Sequence, residues 1–161
     1  MNNANLNSID GANERESKTP RVVIVGAGFG GLAAAKALRK TRVQVILIDR
    51  TNHHLFQPLL YQVATSVLAP SQISAPIREI LRHQKNTTVI MGEVTGVDKV
   101  KRCVIVNSAD REQVPVPYDY LILATGARHS YFSHNKFEKF APGLKSLADA
   151  VGIRNKNPQC L

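Results

Sequence analysis

The sequence predicts an α/β protein with a mainly parallel sheet, and three observations support this fold class. Short apolar runs rich in β-branched residues recur along the chain, which is the composition of strands buried on both faces. The first run leads into a glycine-rich turn and then into a run of strong helix formers. Further along, three extended segments are separated by turn residues. A strand, a helix and a second strand in this order favour parallel strands joined by a crossover helix.

The first strand spans residues 22–25, and a glycine-rich turn, Gly-Ala-Gly-Phe-Gly-Gly, follows at 26–31. The glycines at 26, 28 and 31 fit the spacing G-x-G-x-x-G. In this pattern the first glycine permits a tight turn, the second lets a pyrophosphate approach, and the third lets the helix pack closely on the sheet. The following helix, expected over 32–40, would direct the N–H groups of its first turn at the same place. The turn is therefore suited to bind an anion.

The second strand, at 43–48, leads into Asp49, 23 positions after Gly26. A carboxylate at this position can accept hydrogen bonds from a ribose diol and disfavours a 2′-phosphate. The strand, the turn, the helix and the acid together predict a dinucleotide site rather than a glycine turn that binds nothing.

Residues 50–65 are harder to interpret. The tandem His53 and His54 have no Cys, Asp or Glu at ligand spacing, so we expect no metal site. Residues 55–65 are apolar and aromatic with a few amides. Such a run fits the wall of a pocket for a planar ligand, and it fits an ordinary connecting helix equally well.

The next elements complete the sheet. Residues 71–84 are expected to form a loop and then a helix capped by Ser74, with Pro76 in its first turn and Ile77, Ile80 and Leu81 facing the core. A third parallel strand follows at 88–91. The extended segments 92–98, 101–107 and 112–117 then predict a β-meander, and 121–124 a further buried strand. A last helix is expected over 144–153. A meander between parallel strands is an order that we associate with flavoproteins.

Composition limits the remaining possibilities. The 161 residues suit about one domain, and the formal net charge of +9 favours anionic partners or a solvated basic surface. The chain has no nucleic-acid signature, so no nucleic acid is expected as a partner. Two cysteines without a C-x-x-C spacing predict no disulfide. No secretion signal or membrane-spanning helix is expected, and residues 1–20 have the composition of a disordered tail.

Three segments, at 25–31, 52–64 and 118–127, carry a family resemblance. The chain resembles the N-terminal part of type II NADH dehydrogenases over about 21–154. These enzymes are non-proton-pumping NADH:quinone oxidoreductases of the two-dinucleotide-binding flavoprotein superfamily. The resemblance implies a Rossmann-like FAD-binding domain whose parallel sheet has a β-meander crossover and is incomplete in this chain.

The resemblance also implies roles for single residues. The glycine turn would hold the FAD pyrophosphate and Asp49 the ribose, while the Val94 backbone would contact the adenine edge. Thr125 and Gly126 would lie along the cofactor, and Gln57 and Pro58 near the isoalloxazine. No residue is expected to act as a catalytic acid, base or nucleophile, because the cofactor supplies the chemistry. The cofactor-binding residues expected are Gly26, Ala27, Gly28, Phe29, Gly30, Gly31, Asp49, Arg50, Gln57, Pro58, Val94, Thr125 and Gly126.

The differences from the family lead to further expectations. Family members have a second glycine motif for NADH, a later Gly-Asp segment that completes the FAD site, and a C-terminal membrane anchor. The sequence contains none of these, and residues 155–161 match nothing in the family. We therefore expect an FAD-binding fragment that is inactive alone, with NADH and quinone as partners only if the missing segments are supplied. The family location is cytoplasmic, on the inner face of the cytoplasmic membrane. The alternatives are a short NAD-dependent Rossmann dehydrogenase and a non-enzymatic nucleotide-binding module.

Overall fold

The computed structural model of the chain describes residues 19–127 and 129–156, without the side chain of Asn135. Within these ranges the chain forms two compact units. The sheet unit contains the residues up to Asn52 together with Ile77–Thr125, and the helical unit contains His53–Pro76 together with the residues from Gly126 onward. The tail expected at 1–20 lies almost wholly outside the described residues, as do residues 157–161.

Nine strands and four α-helices make up the described chain. In order they are β1 Arg21–Val25, α1 Phe29–Ala37, β2 Gln44–Asp49, β3 His53–Leu55, α2 Leu60–Ala64, β4 Ser74–Pro76, α3 Ile77–Ile80, β5 Thr87–Met91, β6 Glu93–Asp98, β7 Cys103–Asn107, β8 Val114–Pro117, β9 Tyr120–Leu123 and α4 Leu147–Lys156. Short 3₁₀ turns lie at Leu38–Lys40, Gln57–Leu59, Pro70–Gln72 and Asn135–Lys139.

The core of the sheet unit is a four-stranded parallel sheet in the order β5-β2-β1-β9. In the register of the sheet, Val25 at the end of β1 lies opposite Ile48 of β2 and Leu123 of β9. The carboxyl ends of these strands therefore meet at one edge. The predicted α/β class and the four predicted parallel strands are confirmed, but the strand expected to be buried at 121–124 is the partly exposed edge strand β9.

Side chains of the central strands alternate between two hydrophobic clusters. Val22 and Ile24 of β1 point to the face covered by Leu32 and Ala35 of α1 and by Ile77 of α3. On the other face, Val23 and Val25 of β1, with Ile46 and Ile48 of β2, pack against Val104, Val106 and Val116. The sheet thus lies between a helical layer and a second β layer, and both central strands are buried on both faces.

The second β layer is the predicted meander. Strands β6, β7 and β8 form an antiparallel sheet in that order. A register shift between Val94 and Gly96 marks a bulge in β6, close to the point where the chain leaves the parallel sheet. The meander returns the chain to β9, which is an edge strand with Tyr120 and Leu123 exposed.

Two amide side chains hold the C-terminal end of α1. Gln84 is buried and donates a hydrogen bond to the Ala35 carbonyl at 2.7 Å. Asn86 donates to the carbonyls of Leu38, Thr41 and Val43 at 3.0, 3.3 and 3.1 Å. Because these carbonyls lie at and beyond the end of the helix, the bonds satisfy acceptors that the helix leaves open. They also fix the direction in which α1 leaves the glycine turn.

The prediction of a helix that begins after Ser74 and extends to Gln84 is wrong in its extent. Residues Ser74–Pro76 form β4, which pairs antiparallel with β3, and the helix covers only Ile77–Ile80. The hydroxyl of Ser74 donates to the Pro70 carbonyl at 2.9 Å instead of capping a helix. Proline disfavours helical geometry in the residue before it, which favours the extended pairing. Ile77 and Leu81 are buried in the core as expected.

In the helical unit, α2 and α4 pack together through Leu60, Val63 and Ala64 of α2 and Ala150 of α4. This packing supports a connecting helix in the run 55–65. The predicted C-terminal helix is confirmed with shifted bounds, since α4 covers Leu147–Lys156 and the expected range is 144–153. Its start is fixed by a capping box. Asp149 N–H donates to the Ser146 hydroxyl at 3.1 Å, and Ser146 N–H donates to the Asp149 carboxylate at 2.8 Å.

The capping box makes the stability of the chain depend on pH. Burial by itself would raise the pKa of Asp149, but hydrogen bonds from the N–H groups of Lys145 and Ser146 and from the Ser146 hydroxyl, with the nearby His129, lower it on balance. A carboxyl whose pKa is lower in the folded than in the unfolded chain stabilises the fold above its unfolded pKa of about 4. This stabilisation is lost as the pH falls through the folded pKa.

We therefore expect Asp149→Asn to lower the urea midpoint at pH 7 and to leave it unchanged near pH 2–3. The measurement is urea unfolding of the full chain followed by circular dichroism at both pH values. Asp110→Asn, which changes an exposed loop carboxylate, is the matched control and should have no effect at either pH. An equal loss for Asp149→Asn at both pH values would contradict the charge argument.

Three further sequence features concern cysteines, metals and membranes. Cys103 is buried in β7 as a free thiol, and Cys160 is beyond the described residues. Over 19–127 and 129–156, no three His, Cys, Asp or Glu residues are grouped as a metal would require. None of the helices in these ranges has the length and apolar character needed to cross a bilayer.

Candidate functional site

The glycine turn lies at the carboxyl edge of the parallel sheet, directly after β1. Gly26 has a φ of +99°, which side chains rarely tolerate, and its N–H donates to the Ile48 carbonyl of β2 at 2.7 Å. A Cβ at Gly26 would lie 2.3 Å from the Ala124 carbonyl oxygen, just after β9. The turn is therefore held between the ends of β2 and β9, where ligands bind in open parallel sheets.

Two further glycines face opposite environments. A Cβ at Gly31 would lie 1.7 Å from the Gly26 carbonyl oxygen, so α1 packs directly against its own turn. A Cβ at Gly28 would meet no atom within 4 Å. The turn is thus closed toward the protein at Gly31 and open at Gly28. This is the shape of a cradle that a pyrophosphate can enter.

The N-terminus of α1 adds a favourable electrostatic field. The helix begins at Phe29, three residues earlier than expected, and Gly28 is its N-cap residue without a side-chain cap. Leu32 N–H makes a bond of 3.0 Å to the Gly28 carbonyl, which places the N–H groups of Gly30 and Gly31 ahead of the helical ladder. The first turn has no acidic residue. These features favour an anion at the turn.

Asp49, the last residue of β2, faces the same turn. Its Oδ2 accepts the Ala27 N–H at 2.6 Å, and its Oδ1 accepts the N–H and the hydroxyl of Thr51, each at 2.7 Å. Its backbone carbonyl accepts the Gly92 N–H at 2.9 Å. The carboxylate is therefore hydrogen-bonded to the glycine turn, and its predicted bond to a ribose stays a prediction.

Other expected cofactor residues of the sheet unit lie near the glycine turn and Asp49. Arg50 is exposed directly after Asp49. Val94 lies in β6 opposite Val106, two residues beyond Gly92, whose missing side chain makes room for Val106. Thr125 follows β9 and is exposed, and its backbone nitrogen would lie 3.3 Å from a Cβ at Gly26. The sheet unit thus gathers most of the expected cofactor residues at the carboxyl ends of its parallel strands.

Three expected residues belong to the helical unit. Gln57 and Pro58 are exposed in a 3₁₀ turn, and the Gln57 amide donates to the Lys145 carbonyl at 3.2 Å. Gly126 has a φ of +72° and would have no atom within 4 Å of an added Cβ. The roles of these three residues toward a cofactor stay predictions.

The sequence interpretation missed Thr51 and Gly92. Thr51 follows Asp49 in the order Asp-Arg-Thr, and an aspartate can bond the N–H two residues on in an Asx turn. That local signal could have been found. Gly92 contacts Asp49 only because β5 pairs with β2, which a single sequence does not state. Together the described groups place an open glycine turn and a carboxylate bonded to it along one edge of the sheet.

Known proteins share this sequence and fold. Residues 20–159 match the family model described as pyridine nucleotide-disulphide oxidoreductase. The chain is 50% identical over 136 residues to the type II NADH:quinone oxidoreductase Ndh of Mycobacterium tuberculosis, covering 84% of this chain and 29% of that protein. It is 33% identical over 147 residues to the mitochondrial external alternative NADH-ubiquinone oxidoreductase of Yarrowia lipolytica, covering 87% of this chain and 25% of that protein.

A solved structure has the same fold. NDH2 from Plasmodium falciparum, in a complex with NADH, superposes with a TM-score of 0.78 at 28% identity, over 86% of this chain and 29% of that chain. The 161 residues therefore correspond to between a quarter and a third of the length of these proteins.

Proposed function

Because the chain belongs to the pyridine nucleotide-disulphide oxidoreductase family, we propose that it binds FAD as the first part of an NADH:quinone oxidoreductase. The names of the relatives from Mycobacterium tuberculosis and Yarrowia lipolytica support this reaction class. FAD, when bound, would supply the chemistry that accepts a hydride from NADH and passes two electrons to quinone.

The observation that carries the proposal is the open cradle at Gly28 with a carboxylate joined to it. A Cβ at Gly28 would meet nothing within 4 Å, and Asp49 bonds Ala27 in the same turn. A dinucleotide needs an anion site and a diol acceptor close together, and here the glycine turn would supply the first and the adjoining Asp49 the second. The residues present therefore fit the adenosine diphosphate portion of FAD.

We propose roles for the remaining expected residues from the family resemblance, taking each unit by itself. In the sheet unit, Val94 would contact the adenine through its backbone, with Arg50 at the exposed end of the site, and Thr125 would lie beside the pyrophosphate. In the helical unit, Gln57 and Pro58 would approach the isoalloxazine and Gly126 would continue the cofactor wall. These residues would position the cofactor and exclude water from it. None of them is proposed to transfer a proton.

Catalysis needs more than this site. The chain spans 29% of the length of the Mycobacterium tuberculosis relative, and we propose that the 161 residues alone do not oxidise NADH with quinone. NADH and quinone would become partners in the presence of the remaining segments. The location proposed from the family is the inner face of the cytoplasmic membrane, whereas the Yarrowia lipolytica relative is named mitochondrial.

Two measurements on the purified full chain test the proposal. After incubation with FAD and gel filtration, we expect the protein to retain about one flavin per chain, seen in its visible absorption, and to release it in excess ADP. With FAD, NADH and a soluble quinone, we expect no turnover above that of free FAD. Failure to retain flavin would overturn the binding proposal. Robust turnover would overturn the proposed inactivity of the chain alone.

A further inference from the structure

We infer that Thr51 is a positioning residue for the adenosine end of the site, where it fixes the Asp49 carboxylate against the glycine turn. This inference rests on the proposed function and extends it to a residue outside the glycine pattern and its acid.

The geometry holds Asp49 from several directions. Thr51 binds Oδ1 through both its N–H and its hydroxyl at 2.7 Å, while Ala27 binds Oδ2 at 2.6 Å. Gly92 holds the backbone carbonyl of Asp49 at 2.9 Å. The two bonds from Thr51 therefore fix the orientation in which the carboxylate presents its other oxygen to Ala27.

The chemistry leaves this oxygen able to bind a ligand. An ionised carboxylate offers about four acceptor positions, and the three bonds from Ala27 and Thr51 do not saturate it. Since Oδ1 carries both Thr51 bonds, Oδ2 is the oxygen that remains suited to a ribose hydroxyl beside the turn. Without the Thr51 hydroxyl, Oδ1 loses one of its two partners and the carboxylate can rotate away.

Thr51 is also a suitable position to test. Its residue is exposed, so replacing the hydroxyl by a methyl group removes a hydrogen bond without opening a cavity in the core. Thr41 offers a matched control, because it is exposed and its hydroxyl donates to a carbonyl, that of Leu38, at 2.7 Å. Thr41 lies beyond the C-terminal end of α1, whereas the glycine turn is at the N-terminal end of this helix.

The experiment compares ADP with 2′,3′-dideoxy-ADP by isothermal titration of the full chain. The wild type is expected to bind ADP about 10-fold or more tightly than the dideoxy analogue, because charge-assisted hydrogen bonds carry that preference. Thr51→Val should reduce the preference to about 2–3-fold, and Thr51→Ser should restore it. Thr41→Val should leave it at the wild-type value. A general weakening of the fold would lower both affinities and leave their ratio unchanged.

The outcomes separate the two proposals. A wild-type chain that binds neither ADP nor FAD would overturn the proposed function and the inference with it. A wild-type preference for ADP that Thr51→Val and Thr51→Ala both retain would overturn the inference about Thr51 and leave the proposed function standing. Loss of the preference in Thr51→Val, with recovery in Thr51→Ser, supports the inference.

Discussion

A chain carrying Gly31→Ala is expected to lose about 3 kcal/mol of folding free energy, the upper end of the usual cost of overpacking, because the neighbour is rigid. The added Cβ would lie 1.7 Å from the Gly26 carbonyl oxygen, and this neighbour is backbone that cannot rotate aside. The helix would have to move away from the turn, which would also separate Leu32 and Ala35 from the sheet. For a chain of this size we expect the melting temperature to fall by roughly 6–12 °C.

Gly30→Ala is the matched control for this prediction. A Cβ there would lie 3.9 Å from the Ala124 Cβ, which is ordinary contact, and alanine is favoured over glycine inside a helix by about 1 kcal/mol. The neighbouring substitution should therefore leave the melting temperature unchanged or raise it. Thermal and urea unfolding followed by circular dichroism measure both variants. Equal stabilities of the two alanine variants would show that α1 does not pack on its turn as described.

The second large effect is expected on FAD binding rather than on folding. Gly28 has φ −68° and ψ −164°, which alanine adopts without strain, and an added Cβ would meet nothing within 4 Å. Gly28→Ala should therefore fold as the wild type does. Its methyl group would occupy the open side of the cradle and keep the pyrophosphate from the backbone. We expect FAD to bind about 10–100-fold more weakly, the loss associated with hydrogen bonds to a charged group.

Flavin fluorescence titration measures this effect, and unfolding curves check the fold. Gly152→Ala in α4 is the control, since an added Cβ there also meets nothing within 4 Å and the position lies in the helical unit. It should bind FAD with the wild-type affinity. Unchanged FAD affinity in Gly28→Ala would mean that the open side of the turn is not where the pyrophosphate binds.

Most of the sheet unit could be predicted because its signals are local. The runs that become the central strands β1 and β2 are short, apolar and rich in β-branched residues, and burial on both faces favours that composition. The glycine spacing predicted the turn because the steric reason for each glycine lies within a few residues of it in the sequence. The meander followed from turn residues between extended segments.

Most errors of the sequence-based prediction lie where contacts between distant parts of the chain determine the structure. Ser74–Pro76 is a strand because β3 pairs with it, and that partner lies some twenty residues earlier in the sequence. The start of α1 at Phe29 depends on Gly28 as its N-cap. The contact between Gly92 and Asp49 depends on strand order, and so does the approach of Thr125 to the turn. For the site, Asp49 and its partner Thr51 are close in sequence, whereas the contacts of Asp49 with Ala27 and Gly92 depend on tertiary structure.

The alternation of β1 between two filled layers has a consequence for how this protein can change over generations. A one-residue insertion or deletion within β1 would exchange the side chains of the helical layer with those of the meander layer, since successive strand residues face opposite sides. Exchanges among valine, isoleucine and leucine would be tolerated, whereas a change in strand length would not. The number of residues in β1 is therefore constrained in evolution, and changes in length are expected in other segments of the chain.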